Sequence, residues 1–180
     1  MPSSRALKIS SMPNLLTITF SPCIDKSVSI NSLLPEKKMH CSLPVFAPGG
    51  GGINIARGIK KLGYAATALF PAGGYTGRKF IQLLEAEGVN AISIETSTEM
   101  RENLDVLEAS TNRQYRFVMP AVELLDNEWK SLVEAIRNKS TLNYIIVSGS
   151  MPSGLPENIF QLISTIAKEK NARLVVDTSG

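Results

Sequence analysis

The 180-residue sequence predicts an α/β fold in which a mainly parallel sheet carries helices on both faces. Short, apolar, β-branched runs alternate along the chain with segments whose apolar residues recur every three or four positions. The first pattern is typical of buried strands and the second of amphipathic helices. Hydrophobic residues make up 43% of the chain and charged residues 19%, a balance that indicates one folded domain with a substantial core.

Five apolar runs are predicted to form the strands of this sheet. The first run ends at Ser21-Pro22, which fits a buried strand because proline seldom continues inside one. The five runs are Leu15–Phe20, Ala65–Phe70, Val89–Ile94, Tyr144–Val147 and Leu174–Val176.

Four amphipathic helices are predicted between these strands. The first spans about Gly52–Leu62, and a glycine follows it directly. Thr76 is expected to cap the second helix through its side-chain oxygen, and Gly88 to end that helix. The third helix opens at Asp126, and the fourth starts near Pro156, because proline suits the first turn of a helix.

Two stretches depart from this alternation. Lys26–Ile30 with Met39–Phe46, and Asn103–Glu108 with Gln114–Val118, read as pairs of extended segments without a helix between them. The second pair is joined by Ser110-Thr111-Asn112, a composition typical of turns. We expect a small antiparallel layer beside the main sheet, with irregular surface loops as the alternative.

Four consecutive glycines, Gly49 to Gly52, precede the first predicted helix. Because glycine has no Cβ, the backbone N–H groups of such a run can approach a ligand closely. The helix N-terminus adds a partial positive charge that favours anions and polar ligands. A flexible linker is the alternative, but apolar segments flank the run closely on both sides. The run therefore predicts a ligand-binding turn.

Polar residues fall at the ends of the predicted strands, where ligands of open parallel sheets gather. Asp25 follows the first strand, Asn54 lies at the start of the first helix, Ser148-Gly149-Ser150 follows the fourth strand, and Asp177 ends the last. A carboxylate and a carboxamide beside backbone amides can bind the hydroxyl groups of a sugar. A turn residue at Asp25 and an ordinary polar helix position at Asn54 stay open as alternatives.

Two basic residues in the extended segments are candidates for binding phosphate. The guanidinium of Arg101 can pair with two phosphate oxygens at once, and Lys38 can add a second positive charge. For both residues a solvated surface charge is the alternative. His40, the only histidine, is expected on the surface, with no neighbour that would make it a base.

Composition argues against several function classes. A formal charge of +3 is too mild for binding nucleic acid or an anionic membrane, and no apolar run approaches the ~20 residues that span a bilayer. Residues 1–12 read as a polar tail and not as a signal peptide. Cys23 and Cys41 show no metal-ligand spacing, and they fit a reducing, cytoplasmic setting.

Two nucleotide-binding motifs are also disfavoured by their spacing. A dinucleotide-binding turn should follow the first strand directly, whereas about 30 residues separate the predicted strand Leu15–Phe20 from these glycines, and the expected acidic residue is missing. No Gly-Lys-Ser/Thr follows them, which excludes a P-loop.

Taken together, these segments resemble the PfkB-type sugar kinases of the ribokinase-like fold. The similarity covers nearly all of residues 13–180 in the family's order. Gln114–Pro120 is similar to the minor 6-phosphofructokinase subgroup, which phosphorylates fructose 6-phosphate with ATP and Mg²⁺. The segments that carry the resemblance are Ser21–Asp25, Pro48–Arg57, Phe70–Gly77, Ser148–Pro152 and Val176–Gly180.

The resemblance implies a sugar-phosphate site and a lid formed by segments at about 26–47 and 101–118. Within the lid, Lys38 would contribute to phosphate binding, and the lid would also clasp two subunits into a homodimer. Ser150 and Asp177 would lie near the path of the transferred phosphoryl group. The residues that the resemblance places around the sugar phosphate are Asp25, Gly50, Gly51, Asn54 and Arg101.

Two departures from the family bear on the substrate. Related 1-phosphofructokinases and tagatose-6-phosphate kinases usually carry a lysine where this chain has Gly51, which favours fructose 6-phosphate over their substrates. Those two activities stay open as alternatives. His40 stands where the subgroup tends to place an arginine.

A further departure concerns catalysis. Family members are considerably longer, and their second half carries an Asn-x-x-Glu element near Mg²⁺ and a Gly-Ala-Gly-Asp motif with the catalytic base. Neither motif occurs in these 180 residues. We therefore expect the sugar-binding half of a kinase, truncated before the C-terminal half, without a catalytic base and with little of the nucleotide site. The alternative is an inactive fragment that binds a sugar phosphate or dimerises.

Overall fold

The computed structural model describes residues 13–178, which form nine strands and four helices. The polar tail predicted for residues 1–12 lies outside the described residues. The strands are β1 (Leu15–Ile18), β2 (Cys23–Ile30), β3 (Val45–Gly49), β4 (Ala66–Gly73), β5 (Asn90–Thr96), β6 (Glu102–Glu108), β7 (Arg113–Phe117), β8 (Tyr144–Ser148) and β9 (Arg173–Asp177). The helices are α1 (Gly51–Lys61), α2 (Gly74–Ala86), α3 (Asp126–Arg137) and α4 (Ile159–Glu169).

Five strands form the main sheet in the order β5-β4-β1-β8-β9, and every neighbouring pair is parallel. The central strand β1 pairs on both sides, with Leu15 opposite Ala66 on β4 and opposite Tyr144 on β8. Because parallel neighbours must be joined by crossovers, the helices between them are placed against the faces of the sheet. The predicted parallel sheet is confirmed.

Two apolar clusters cover the two faces of this sheet. On one face, Leu132 of α3 and Ile163 of α4 pack with residues such as Ile18 of β1. On the other face, Ile53 of α1 and Phe80 of α2 form the second cluster with strand β4. All five of these side chains are fully buried. The helices therefore lie on both faces, as the alternating pattern predicts.

The remaining four strands form a second sheet, in the order β3-β2-β6-β7, which we call the lid sheet. Its outer pairs are antiparallel, as predicted, whereas the central pair β2–β6 is parallel, with Ile24 opposite Glu102. The predicted small second layer is therefore present with two antiparallel pairs, and its parallel central pair was not predicted. Both central strands enter the lid sheet from the carboxyl end of a main-sheet strand, β1 or β5, and so run in the same direction. The alternative of irregular loops is wrong.

Several predicted boundaries differ from the structure. Residues 39–44 are not in a strand, because β3 begins only at Val45. Thr76 does not cap α2 but lies in its first turn, and the N-cap is Gly73. The carboxylate of Glu99 instead accepts hydrogen bonds from the backbone N–H groups of Tyr75 (3.1 Å) and Thr76 (2.5 Å). Glu99, which is distant in sequence, therefore caps the start of α2 in place of the predicted Thr76 side chain.

The fourth helix also starts later than predicted. α4 begins at Ile159, and the carbonyl of Pro156 accepts a hydrogen bond from the Ile159 N–H (3.0 Å) in the turn before it.

Strand β9 lies at one edge of the main sheet, and Val175 and Val176 on it are exposed. None of the helices in residues 13–178 is long and apolar enough to cross a membrane.

Candidate functional site

The carboxyl ends of β1 and β8, the start of α1 and the base of the lid sheet surround one open cavity of about 290 Å³. Six of the seven residues predicted to bind the sugar phosphate line this cavity. They come from four separate parts of the chain, so only the fold brings them together. The six residues are Asp25, Gly50, Gly51, Asn54, Arg101 and Ser150.

The seventh predicted residue does not line this cavity. Lys38 lies in the segment between β2 and β3, where it is exposed. His40 is exposed in the same segment, on the surface as predicted. The structure of the single chain therefore does not bring Lys38 to the other six.

The glycine run forms a tight turn between β3, which ends at Gly49, and α1, which begins at Gly51. Gly50, between them, has a φ of 119°, a conformation that side chains other than glycine rarely adopt. A Cβ on Gly51 would lie 2.6 Å from the backbone nitrogen of Gly149, which follows β8. These glycines thus allow α1 to pack directly against the end of β8, and the alternative of a flexible linker is wrong.

Asp25 lies in the middle of β2, opposite Ala47 on β3 and Asn103 on β6. Its Oδ1 accepts hydrogen bonds from the Nδ2 group of Asn103 (3.0 Å) and from the thiol of Cys23 (3.5 Å). A Cβ on Gly49 would overlap the carboxylate of Asp25, so the glycine makes room for it. The alternative that Asp25 is a turn residue is wrong.

Cys23 is a buried thiol at the base of the cavity. Burial, and after it the negative charge of Asp25, raises the pKa of this thiol to about 12. The thiol therefore stays protonated near neutral pH, where it can donate to the neighbouring carboxylate. Nucleophilic chemistry at Cys23 is disfavoured for the same reason.

Arg101 precedes β6 and is half-buried. Its guanidinium donates to the carbonyl oxygens of Met119 (2.8 Å) and Ser21 (3.0 Å), with a longer contact to the hydroxyl of Ser150 (3.5 Å). The alternative of a solvated surface charge is therefore wrong. Since a guanidinium has five N–H groups, it can still donate to a ligand in the cavity.

Besides Cys23, two lid-sheet residues of the cavity were missed from the sequence. Asn103 on β6 is only 6% exposed, and Arg116 on β7 donates from Nε to the Oδ1 of the buried Asp105 (3.1 Å). Polar residues that alternate along β6, at positions 103 and 105, were the one signal for a polar inner face. Arg116 brings a second guanidinium to the cavity, which suits an anionic ligand.

Asn54 lies on the first turn of α1, where its carboxamide lines the cavity. Its Oδ1 accepts a hydrogen bond from Nη1 of Arg57 (3.4 Å), which leaves the Nδ2 group to donate toward the cavity. Arg57 also donates to the carbonyl of Pro48 (3.1 Å) and pairs through two bonds with Glu87 at the end of α2. The role of Asn54 in binding a sugar stays a prediction.

Asp177 lies at the end of β9, outside the lining of this cavity. Its carboxylate accepts a hydrogen bond from the hydroxyl of Ser148 (3.1 Å), and its carbonyl accepts one from the N–H of Gly149 (3.1 Å). Within residues 13–178, no group of three or more His, Cys, Asp or Glu side chains is placed to hold a metal ion. These residues do not fit a Mg²⁺ site, so no chemical step is assigned to a metal on them.

Residues 18–180 match the family model of the pfkB family carbohydrate kinases. Among curated proteins, the chain is 41% identical over 170 residues to the ATP-dependent 6-phosphofructokinase isozyme 2 of Escherichia coli, with 94% of this chain and 55% of that protein covered. It is 37% identical to the isozyme 2 of Mycobacterium tuberculosis (93% and 50% covered) and 28% identical to the 1-phosphofructokinase of Bacillus subtilis (92% and 54% covered).

Solved structures match as well. The crystal structure of phosphofructokinase-2 from Escherichia coli in complex with fructose-6-phosphate has a TM-score of 0.88 and 41% identity, covering 94% of this chain and 56% of that one. A putative phosphofructokinase from Staphylococcus aureus has a TM-score of 0.82 and 28% identity, covering 90% and 52%. The chain thus spans about half the length of the curated relatives it matches.

Proposed function

This chain belongs to the pfkB family of carbohydrate kinases, and from that premise we propose that it forms the sugar-binding part of an ATP-dependent kinase acting on fructose 6-phosphate. The product is fructose 1,6-bisphosphate. The observation that carries the proposal is the cavity in which Asp25, Asn54, the glycine turn, Arg101 and Ser150 meet. No ordinary packing requirement brings a carboxylate, a carboxamide and a guanidinium to one open cavity.

The chemistry of these groups divides between the two ends of a sugar phosphate. The carboxylate of Asp25 accepts hydrogen bonds from sugar hydroxyls, and the Nδ2 group of Asn54 donates to them. Arg101 and Arg116 present guanidinium groups, which bind phosphate oxygens through charge-assisted hydrogen bonds. The amides at the start of α1 have no partners within the helix and complete a polar wall.

Fructose 6-phosphate is favoured over other phosphorylated sugars by two observations. The relatives at 37% and 41% identity are both named 6-phosphofructokinases, whereas the 1-phosphofructokinase of Bacillus subtilis reaches 28%. The lysine that related kinases carry in the glycine motif is replaced here by Gly51. That position lies against Ser148 and Gly149, where a long side chain does not fit without movement.

In the proposed reaction, the sugar hydroxyl attacks the γ-phosphorus of ATP in line, the bond from that phosphorus to the β,γ-bridging oxygen breaks so that ADP leaves, and the hydroxyl proton passes to a general base. Most of the catalysis comes from positioning and charge stabilisation. The residues described above bind and orient the sugar phosphate and hold its reacting hydroxyl at the mouth of the sheet. The Gly-Ala-Gly-Asp base motif is missing from these 180 residues. Removal of a general base alone costs a factor of about 10²–10⁴ in rate, so we expect no measurable kinase activity from this chain alone.

We propose in addition that a second copy of the chain covers the apolar face of the lid sheet. A cavity of about 480 Å³ lies there, bordered mostly by apolar side chains such as Val28, Leu104 and Phe117. Phe117 is 46% exposed and Leu43, in the neighbouring loop, is 91% exposed, which is costly for a surface that meets only water. Lys38 and His40 lie on the same loop, so a partner's lid could carry them toward the other subunit's site.

The experiment that tests the sugar site is titration calorimetry of the chain with fructose 6-phosphate, fructose 1-phosphate and fructose. We expect the tightest binding for fructose 6-phosphate and none measurable for fructose. Arg101→Ala should weaken binding of the phosphorylated sugars about tenfold or more, because it removes a charge-assisted contact. Asp25→Asn should weaken binding of both sugar phosphates.

Arg137→Ala is the matched control, because Arg137 is an exposed arginine at the end of α3, away from the cavity. Circular dichroism confirms that each variant is folded. A folded chain that shows no heat with any sugar phosphate contradicts the proposal. Tighter binding of fructose 1-phosphate would instead assign the site to a 1-phosphofructokinase, and kinase turnover by the chain alone would contradict the missing base.

A further inference from the structure

We infer that Asn103 on β6 is a positioning residue that orients the carboxylate of Asp25 and ties it to the guanidinium of Arg101. The inference rests on the proposed function, since it concerns the same cavity. Asn103 belongs to none of the motifs that pointed to the sugar site. The evidence is a connected set of hydrogen bonds beneath the cavity.

The carboxamide of Asn103 is buried, and both of its ends are hydrogen-bonded. Its Nδ2 group donates to Oδ1 of Asp25 (3.0 Å) and to the sulfur of Cys23 (3.2 Å). Its Oδ1 accepts a hydrogen bond from the backbone N–H of Met119 (3.1 Å). Only a carboxamide both donates and accepts in this way, since a carboxylate of the same shape has no proton to give. An apolar side chain there would leave buried polar groups unpaired.

The same bonds orient the carboxylate. Asn103 and the Cys23 thiol both donate to Oδ1 of Asp25, so the side-chain hydrogen bonds to this carboxylate among the described residues reach one oxygen only. The other oxygen, Oδ2, lies beside Gly49 and accepts no side-chain hydrogen bond among the described residues, and in this proposal it accepts one from a sugar hydroxyl. The high pKa of the thiol, about 12, keeps its proton in place for this bond near neutral pH.

A single peptide group links Asn103 to Arg101. The N–H of Met119 donates to Asn103, and the carbonyl of Met119 accepts from Nη1 of Arg101 (2.8 Å). The other side of the guanidinium is held by the carbonyl of Ser21 (3.0 Å). Beside the backbone pairing of β2 with β6, in which the N–H of Ile24 donates to the carbonyl of Arg101 (3.2 Å), one buried side chain and one peptide therefore hold the side chains of Asp25 and Arg101 in place. These are the groups that would bind the hydroxyl end and the phosphate end of the same ligand.

The charged groups around the carboxylate of Asp25 determine how a second negative charge beside it would affect ligand binding. The cationic groups that line the cavity with Asp25 are Arg101, before β6, and Arg116, on β7. The titratable neighbour on β2 is the thiol of Cys23. Strand β3 and helix α1 present uncharged residues to this point, Asn54 among them.

The decisive variant is Asn103→Asp. It keeps the shape of the side chain and the oxygen that accepts from the Met119 N–H, but it replaces the Nδ2 donor by a carboxylate oxygen. That carboxylate would lie about 3.0 Å from the one of Asp25, as the present hydrogen bond shows. Two carboxylates this close share a proton as the pH falls, which restores a hydrogen bond between them. Binding of fructose 6-phosphate is measured by calorimetry at pH 8 and pH 5.5, relative to the wild type at each pH because the ligand's phosphate also titrates.

We expect Asn103→Asp to bind fructose 6-phosphate about tenfold or more weakly at pH 8 and to recover most of that loss at pH 5.5. Asn103→Ala should show a loss that is the same at both pH values, since it adds no charge. Asn90→Asp is the matched control, because Asn90 is exposed at the amino end of β5, and it should bind as the wild type does. A merely structural role would leave the affinity of the folded Asn103→Asp variant equal to that of the wild type at both pH values.

Urea unfolding without ligand separates this inference from the proposed function. Asn103→Asp should unfold at a lower urea concentration than Asn90→Asp at pH 8, with a smaller gap at pH 5.5. If the wild type binds fructose 6-phosphate and Asn103→Asp binds equally well at both pH values, the positioning role is overturned and the proposed function stands. If the wild type does not bind the ligand, both fall, and the unfolding data report only the contact with Asp25.

Discussion

Replacing Gly51 by alanine should destabilise the protein, although alanine is normally the better helix former. A Cβ at this position would lie 2.6 Å from the backbone nitrogen of Gly149 and 2.6 Å from the carbonyl carbon of Ser148. Both are main-chain atoms, so no rotamer change relieves the overlap. Overpacking of this kind costs about 1–3 kcal/mol, which exceeds the roughly 0.5–1 kcal/mol that alanine gains over glycine inside a helix.

Gly58→Ala in the same helix is the matched control, because a Cβ there meets no atom within 4 Å. This variant should be stabilised by about 0.5–1 kcal/mol, since only the helix-propensity gain remains. The free energy of unfolding is measured for both variants by urea denaturation followed by circular dichroism. We expect the two variants to move in opposite directions from the wild type. Equal stability of Gly51→Ala and Gly58→Ala would refute the close packing of α1 against the end of β8.

Two further predictions concern the second helix and the lid sheet. Hydrogen bonds from the side chain and backbone of Thr76, and from the backbone of Tyr75, lower the pKa of Glu99 below its ordinary 4.5. The carboxylate therefore contributes stability that is present above pH 4.5 and is lost as the pH falls through the lower folded-state value. In urea unfolding, Glu99→Gln should reduce the loss of unfolding free energy at acidic pH. Glu95→Gln is the control and should leave that loss unchanged. Phe117→Glu should convert a dimer into a monomer in analytical ultracentrifugation, whereas a monomeric wild type would contradict the proposed lid contact.

The fold class was predictable because periodicity is a local property of the chain. Leu16 and Ile18 lie two positions apart on β1, and Leu132 and Ile136 lie four positions apart on α3. All four belong to the same buried cluster. Such patterns identify strands and helices without knowledge of their neighbours. Strand pairing is different, because hydrogen bonds between strands join residues far apart in sequence. The parallel pairing of β2 with β6 could therefore not be predicted from the two hairpin-like segments.

In the candidate site, too, local features were predictable from the sequence and long-range contacts were not. The glycine turn was predictable because four glycines in a row are seldom used without a backbone reason, and Gly50 does adopt a positive φ. Asn103 was missed because the alternation of polar residues at positions 103 and 105 shows that they share a face of β6 but not what that face contacts. Thr76 was assigned as a helix cap on local grounds, and the cap came instead from Glu99, which lies 23 residues further along the chain.

By itself, the sequence determined that this protein has alternating strands and helices, a glycine turn before the first helix, and polar residues at the ends of its strands. Those features depend on side-chain size, polarity and spacing, which each segment carries alone. Only the tertiary structure decided that Asp25, Asn103 and Arg101 share one hydrogen-bonded set, and that Lys38 lies away from it. Such contacts depend on the packing of the lid sheet against the main sheet, where burial favours hydrogen bonds between polar groups that are far apart in sequence.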